Sequence, residues 1–123
     1  MPKVTRDELP ISASAPGFEG RWHQFGDMTV QFQSMQQPID MSEMMRTLPD
    51  GRCQCPHWGF VFKGKMVVRY ADREETISAG EAFYLPPGHV PEILEPTELI
   101  EFSPNGELKK TADAIMAAMG QAS

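Results

Sequence analysis

The chain has 123 residues, 41% of them hydrophobic and 23% charged, with a formal net charge of −6. That length suits a single domain with a core of its own, and the composition excludes disorder over most of the chain. The acidic balance leaves no basic footprint for nucleic acid or an anionic membrane, and no stretch approaches the ~20 apolar residues that cross a bilayer.

Residues 1–19 carry Pro10 and Pro16 without a clear period and read as an amino-terminal arm that can lie on a neighbouring surface. They lack the apolar core of a secretory signal, so a cytoplasmic protein with reduced thiols is expected. "MTVQFQSM" alternates, with Met28, Val30 and Phe32 on one face and Thr29, Gln31 and Gln33 on the other, the pattern of a half-buried strand. "DMSEMMRTLPDG" reads as a short helix over 40–48: Asp40 and Glu43 have capping-box spacing, and Met41, Met44, Met45 and Leu48 form one stripe before Pro49. From Arg52 to Ser103 short strands alternate with Gly- and Pro-bearing turns, which predicts an all-β barrel or sandwich over 20–103. Ser103 can cap and Pro104 can open a carboxy-terminal helix, with Leu108, Ala112, Ile115 and Met119 as its stripe; residues 104–123 are expected to pack on the barrel.

Within "GRCQCPHWGFVFKGKM" both cysteines and one of the three histidines fall at alternate positions, Cys53, Cys55 and His57. Two cysteines one residue apart bridge each other poorly, because a disulfide needs Cα atoms near ~5.5 Å and facing side chains. On a strand, residues two apart share a face. The trio is either a line of soft metal ligands or three unrelated buried groups, since free cysteine also behaves as a small hydrophobe.

"ISAGEAFYLPPGHVPEI" resembles the second cupin motif, with Gly80, five residues, Pro86, one residue and Gly88. "HWGFVFKGK" resembles the end of the first, where the family's metal-binding glutamate lies seven residues before a turn glycine; counting back from Gly64 reaches His57. The resemblance covers about residues 50–103 and implies a jelly-roll barrel with its motif residues converging inside, flanked by the short helix and the carboxy-terminal one. The departures are specific. Cys53-Gln54-Cys55 stands for the family's His-x-His, His57 for its glutamate, and Pro91 falls where the second-motif histidine belongs, with His89 two residues earlier. A two-residue offset keeps the strand face, so His89 can still point inward.

Cys53, Cys55, His57 and His89 are therefore the expected metal ligands. Two thiolates and two imidazoles suit tetrahedral Zn²⁺, although another divalent transition metal could take such a set. Thiolates beside activated oxygen invite oxidation, which disfavours Fe(II) oxygen chemistry. The other outcome is an empty barrel with these residues in its core. Two functions follow: an enzyme of the lyase, isomerase or hydrolase kind on a small molecule, with three protein ligands and one open position, or a binding or sensing module whose four ligands close the site. No acid–base pair stands out, and Glu81, Glu92 and Glu101 read as surface groups, as does His23. Gly59 and Val61 are expected to face inward and leave room for a ligand. Trp58, Phe60 and Phe62 on the opposite face, with the arm, offer apolar surface and strand edge for a homodimer.

Overall fold

Alternation of side chains between turn residues decides the architecture. The computed structural model describes residues 3–120, with strands β1 (Ala13–Ala15), β2 (Phe18–Phe25), β3 (Met28–Met35), β4 (Ile39–Asp40), β5 (His57–Lys63), β6 (Lys65–Arg69), β7 (Glu74–Ser78), β8 (Ala82–Leu85), β9 (Val90–Ile93) and β10 (Thr97–Pro104), then helix α1 (Asn105–Gly120). They form two antiparallel sheets, ordered β1-β2-β3-β10-β5-β8 and β4-β9-β6-β7. This is the expected jelly roll with its carboxy-terminal helix. No described helix is long and apolar enough to cross a membrane.

β10 runs through the middle of the larger sheet and sets the register of both neighbours: Leu99 lies opposite Gln33 and Val61, and Glu101 opposite Gln31 and Gly59. Its residues alternate between buried and half-buried, with Thr97, Leu99, Glu101 and Ser103 facing in. On β3 the same register turns the polar face of "MTVQFQSM" toward the interior and puts Val30 and Phe32 on the opposite face of the sheet, where Val30 is nonetheless fully covered and Phe32 half-buried. The apolar floor of the interior comes instead from Met35, Val61, Met66, Val68, Leu85, Ile93 and Leu99, all nearly fully buried. Burial of each such side chain stabilises the fold by about 1.5–3 kcal/mol.

Gly64 makes the β5–β6 turn at φ +94°, a left-handed conformation natural to glycine, and a Cβ there would meet Thr97 Cα at 2.7 Å. Gly59 does not open space for a ligand as its inward position suggests. A Cβ there would lie 2.5 Å from Phe83 Cζ, so the Phe83 ring already fills that volume, and Val61 is sealed in the core.

Two local expectations are corrected. Residues 41–48 form a run of turns, not a helix. Bonds of different span mix there, Met45 N to Met41 O (3.1 Å) and Leu48 N to Met45 O (3.0 Å). Asp40 is drawn into β4, and its carboxylate accepts from Ser42 N at 2.9 Å in an Asx turn instead of a capping box. The few residues left before Pro49 are too short a run to propagate a helix. The stripe still packs inward, with Met41, Met45 and Leu48 buried.

Ser103 and Pro104 belong to β10 and do not cap α1. Asn105 ties the helix start to the β2–β3 turn instead: its Nδ2 donates to Gly26 O (2.8 Å), and its Oδ1 accepts from Thr29 Oγ1 (2.6 Å). Leu108 is buried and Ala112 and Ile115 half-buried against the barrel, while the Met119 side chain lies outside the described residues. Part of the amino-terminal arm is also built into the chain's own barrel, as β1 pairs with β2 around the Pro16-Gly17 turn.

Candidate functional site

His57 opens β5, and Cys53 lies four residues earlier, where the chain runs antiparallel to the Pro-Pro-Gly-His turn. Cys53 N donates to His89 O (2.9 Å) and Gly88 N donates to Cys53 O (2.8 Å), so two backbone bonds hold the turn against the cysteine. The ligand atoms of Cys53, His57 and His89 all fall within 4.8 Å of one another, a cluster that could hold a metal ion. Each of the three is at least nine-tenths buried. Cys53 Sγ is 3.7 Å from His57 Nε2, and the two imidazole rings are 5.0 Å apart between centres.

The ring nitrogens are already sorted. His89 Nδ1 lies 2.7 Å from Pro86 O, and a carbonyl only accepts, so Nδ1 carries the hydrogen and Nε2 keeps its lone pair. His57 Nδ1 is engaged by Ser103 Oγ at 2.6 Å, which leaves Nε2 toward Cys53. Hydrogen bonds of this kind orient metal-binding histidines. Burial holds both imidazoles down to about 4, with His57 adding to the effect on His89, so both are neutral near pH 7. Burial pushes the Cys53 thiol up to about 11, so without a metal it keeps its proton.

These donors fit zinc. Tetrahedral Zn²⁺ with Zn–S near ~2.3 Å and Zn–N near ~2.0 Å spaces sulfur and nitrogen by about 3.5 Å, close to the Cys53–His57 separation of 3.7 Å. Cys55 stands outside the cluster. It is fully buried, yet its Sγ is 3.5 Å from Pro56 O, and burial with the nearby Cys53 raises it to about 12. The same-face expectation needed regular strand from 53 to 57. Strand β5 begins only at His57, and Pro56 interrupts the alternation.

A cavity of about 400 Å³ opens beside the cluster. β1 and α1 border it, with the methionines of the 41–48 turns, and Cys53, His57 and His89 are all part of its lining. Glu101, expected on the surface, is buried on this wall. Its Oε2 accepts from Gln33 Nε2 (3.2 Å) and lies 3.7 Å from His57 Nδ1. With the Gln31 amide oriented to satisfy both neighbours, its nitrogen donates to the same Oε2 (3.2 Å) and its oxygen accepts from Trp22 Nε1 (3.0 Å). Burial drives the Glu101 carboxyl up to about 7. The alternation of "TELIEFS" contained the signal, since Glu101 shares a face with Leu99 and Ser103. Glu81 is exposed and Glu92 pairs with Arg69, as surface groups do. His23 lies on the outer sheet face against Phe25, away from the cluster.

No family model matches the chain, and no curated protein matches it in sequence. Solved structures do match in fold. An RmlC-like cupin from Shewanella frigidimarina NCIMB 400 superposes with a TM-score of 0.60 at 13% identity, covering 82% of this chain and 87% of that one. KdgF from Halomonas sp. gives 0.56 at 19% identity over 81% and 90%. The polyketide cyclase RemF from Streptomyces resistomycificus gives 0.59 at 16% identity over 85% and 79%. The chain has the cupin fold.

Proposed function

We propose that the protein binds zinc through Cys53, His57 and His89 and acts there on a small molecule held in the barrel, as a lyase, isomerase or hydrolase. The observation that carries this reading is that the three clustered side chains also line the cavity, and a tetrahedral ion with three protein ligands keeps a fourth position for water or a small molecule. Zinc held there supplies Lewis acidity to a substrate oxygen. Ser103 fixes the His57 ring, Pro86 fixes His89, and Met41, Met44 and Met45 line the space beside them. That a polyketide cyclase shares the fold supports a catalytic use of such a barrel. The alternative, a closed structural site in a sensing protein, needs Cys55 as a fourth ligand.

One measurement separates them. Metal analysis of protein purified without an affinity tag is expected to give about one zinc per chain, with X-ray absorption reporting one sulfur in the first shell. Two sulfurs would favour the closed site, and absence of metal with no uptake of added zinc would remove both.

The outer sheet face supports a homodimer. Trp58, Phe60, Phe62 and Tyr84 are 37–55% exposed there, and Trp58 stacks on Tyr84 with 5.1 Å between ring centres. A contiguous aromatic patch of this kind marks an association surface. Sedimentation at micromolar concentration is expected to give twice the 13.8 kDa chain mass, and Phe62→Lys to give the single chain. A wild-type monomer under those conditions rejects the dimer.

A further inference from the structure

The lining of the cavity restricts what it can hold. Among the described residues it carries no Lys or Arg, and Glu101 is its one carboxylate. Its side wall comes from Met41, Met44, Met45, Leu108, Ile115 and Met116. An anionic group entering this space loses its water and meets no side-chain cation, and a buried charge without a partner is costly. Methionines suit an apolar body of irregular outline, because an unbranched thioether adapts to the shape it meets.

The polar end is arranged around an acceptor. Both amide donors, from Gln31 and Gln33, converge on Glu101 Oε2. Among the described residues Oε1 takes no hydrogen bond, although the side chain borders the cavity. We propose that the cavity takes an uncharged, largely apolar molecule bearing a hydroxyl group, which donates to Glu101 while the apolar body lies on the methionine wall. The proposal rests on the cavity being the ligand site, as read above, and is independent of the metal.

The test compares 2-naphthol with 2-naphthoate near neutral pH, where the first is neutral and the second anionic. Binding is measured by calorimetry on the full chain, both as purified and after treatment with a chelator. Naphthol is expected to bind at least tenfold more tightly than naphthoate in the chelator-treated protein, where no metal can recruit the carboxylate. Glu101→Gln keeps the shape, but with its oxygen held by the Gln31 and Gln33 amides it turns an amide donor toward the cavity in place of an acceptor, and is expected to narrow that preference. Ala112→Trp, which fills the cavity, is expected to abolish naphthol binding, whereas Phe62→Lys on the outer aromatic face leaves it intact. Naphthoate binding as tightly as naphthol overturns the ligand class while keeping the cavity as a site. Binding of neither probe, or naphthol binding that Phe62→Lys removes and Ala112→Trp spares, overturns the cavity reading itself.

Discussion

Cys53→Ser is expected to weaken zinc binding at least about a hundredfold, while Cys55→Ser leaves it within a few-fold of wild type. The magnitude follows from ligand chemistry: losing a group that merely orients a ligand costs about 10–100-fold in metal affinity, so losing a ligand belongs at or beyond that limit. The contrast follows from geometry, because Cys53 Sγ shares the cluster with both imidazoles and Cys55 Sγ lies beside Pro56 O. The pH dependence makes a second, independent reading. Both imidazoles are already neutral near pH 7, so only the Cys53 proton has to leave when the metal enters. Apparent affinity should then rise about tenfold per pH unit around neutrality, one proton released per ion. Two coordinating thiols would release two protons and give a slope nearer a hundredfold. Competition with a chromophoric chelator measures both quantities, with His23→Ala as the control. Equal losses in the two cysteine variants would return Cys55 to the ligand set, and no loss in Cys53→Ser would falsify the site.

The legible parts of this molecule are those that depend on local alternation and turn chemistry. Glycines and prolines punctuate the strands where the chain turns, and the spacing from Gly80 through Pro86 to Gly88 puts His89 two residues before Pro91, on a face that can point inward. What escaped depends on partners distant in sequence. Glu101 looks like a surface carboxylate until β10 is seen between β3 and β5, with Gln31 and Gln33 brought alongside. Ser103 looked free to cap a helix, but its hydroxyl is taken by His57, 46 residues away. Residues 41–48 kept their buried stripe and lost their helix, because β9 claims the chain just before them: Ile39 pairs with Ile93, and Met41 N donates to Pro91 O. The inward polar face of β3 misleads for the same reason. An apolar–polar alternation names two faces but not which one is interior, and here the outer face carries the aromatics.

The buried ionisable groups beside the cavity set the second large expectation: the metal-free protein should be most stable near pH 6.5 and lose about 3 kcal/mol by pH 4.5. His57 and His89 sit near 4 when folded against an ordinary 6.5, so below 6.5 the unfolded chain takes up two protons that the folded chain refuses. Their contribution is present above 6.5 and is lost as pH falls toward 4. Glu101 acts in the opposite sense. Its carboxyl is raised to about 7 from an ordinary 4.5, so between those values the folded state holds a proton that the unfolded state has released. That favours folding at low pH and is lost as pH rises through 7. Between 4.5 and 6.5 the balance is two protons against one, a net of one in favour of the unfolded state. Each pH unit of acidification then costs about 1.4 kcal/mol. The 3.7 Å between His57 Nδ1 and Glu101 Oε2 does not reverse the signs, since burial penalises the charged form of each partner. Glu101→Gln removes the opposing proton while keeping shape and neutrality, so the slope over the same window should roughly double. Denaturant unfolding of chelator-treated protein across pH 4.5 to 7.5, wild type beside Glu101→Gln, measures it. A flat wild-type profile with no steepening in the variant means that the two histidines are hydrated and not buried as neutral ligands.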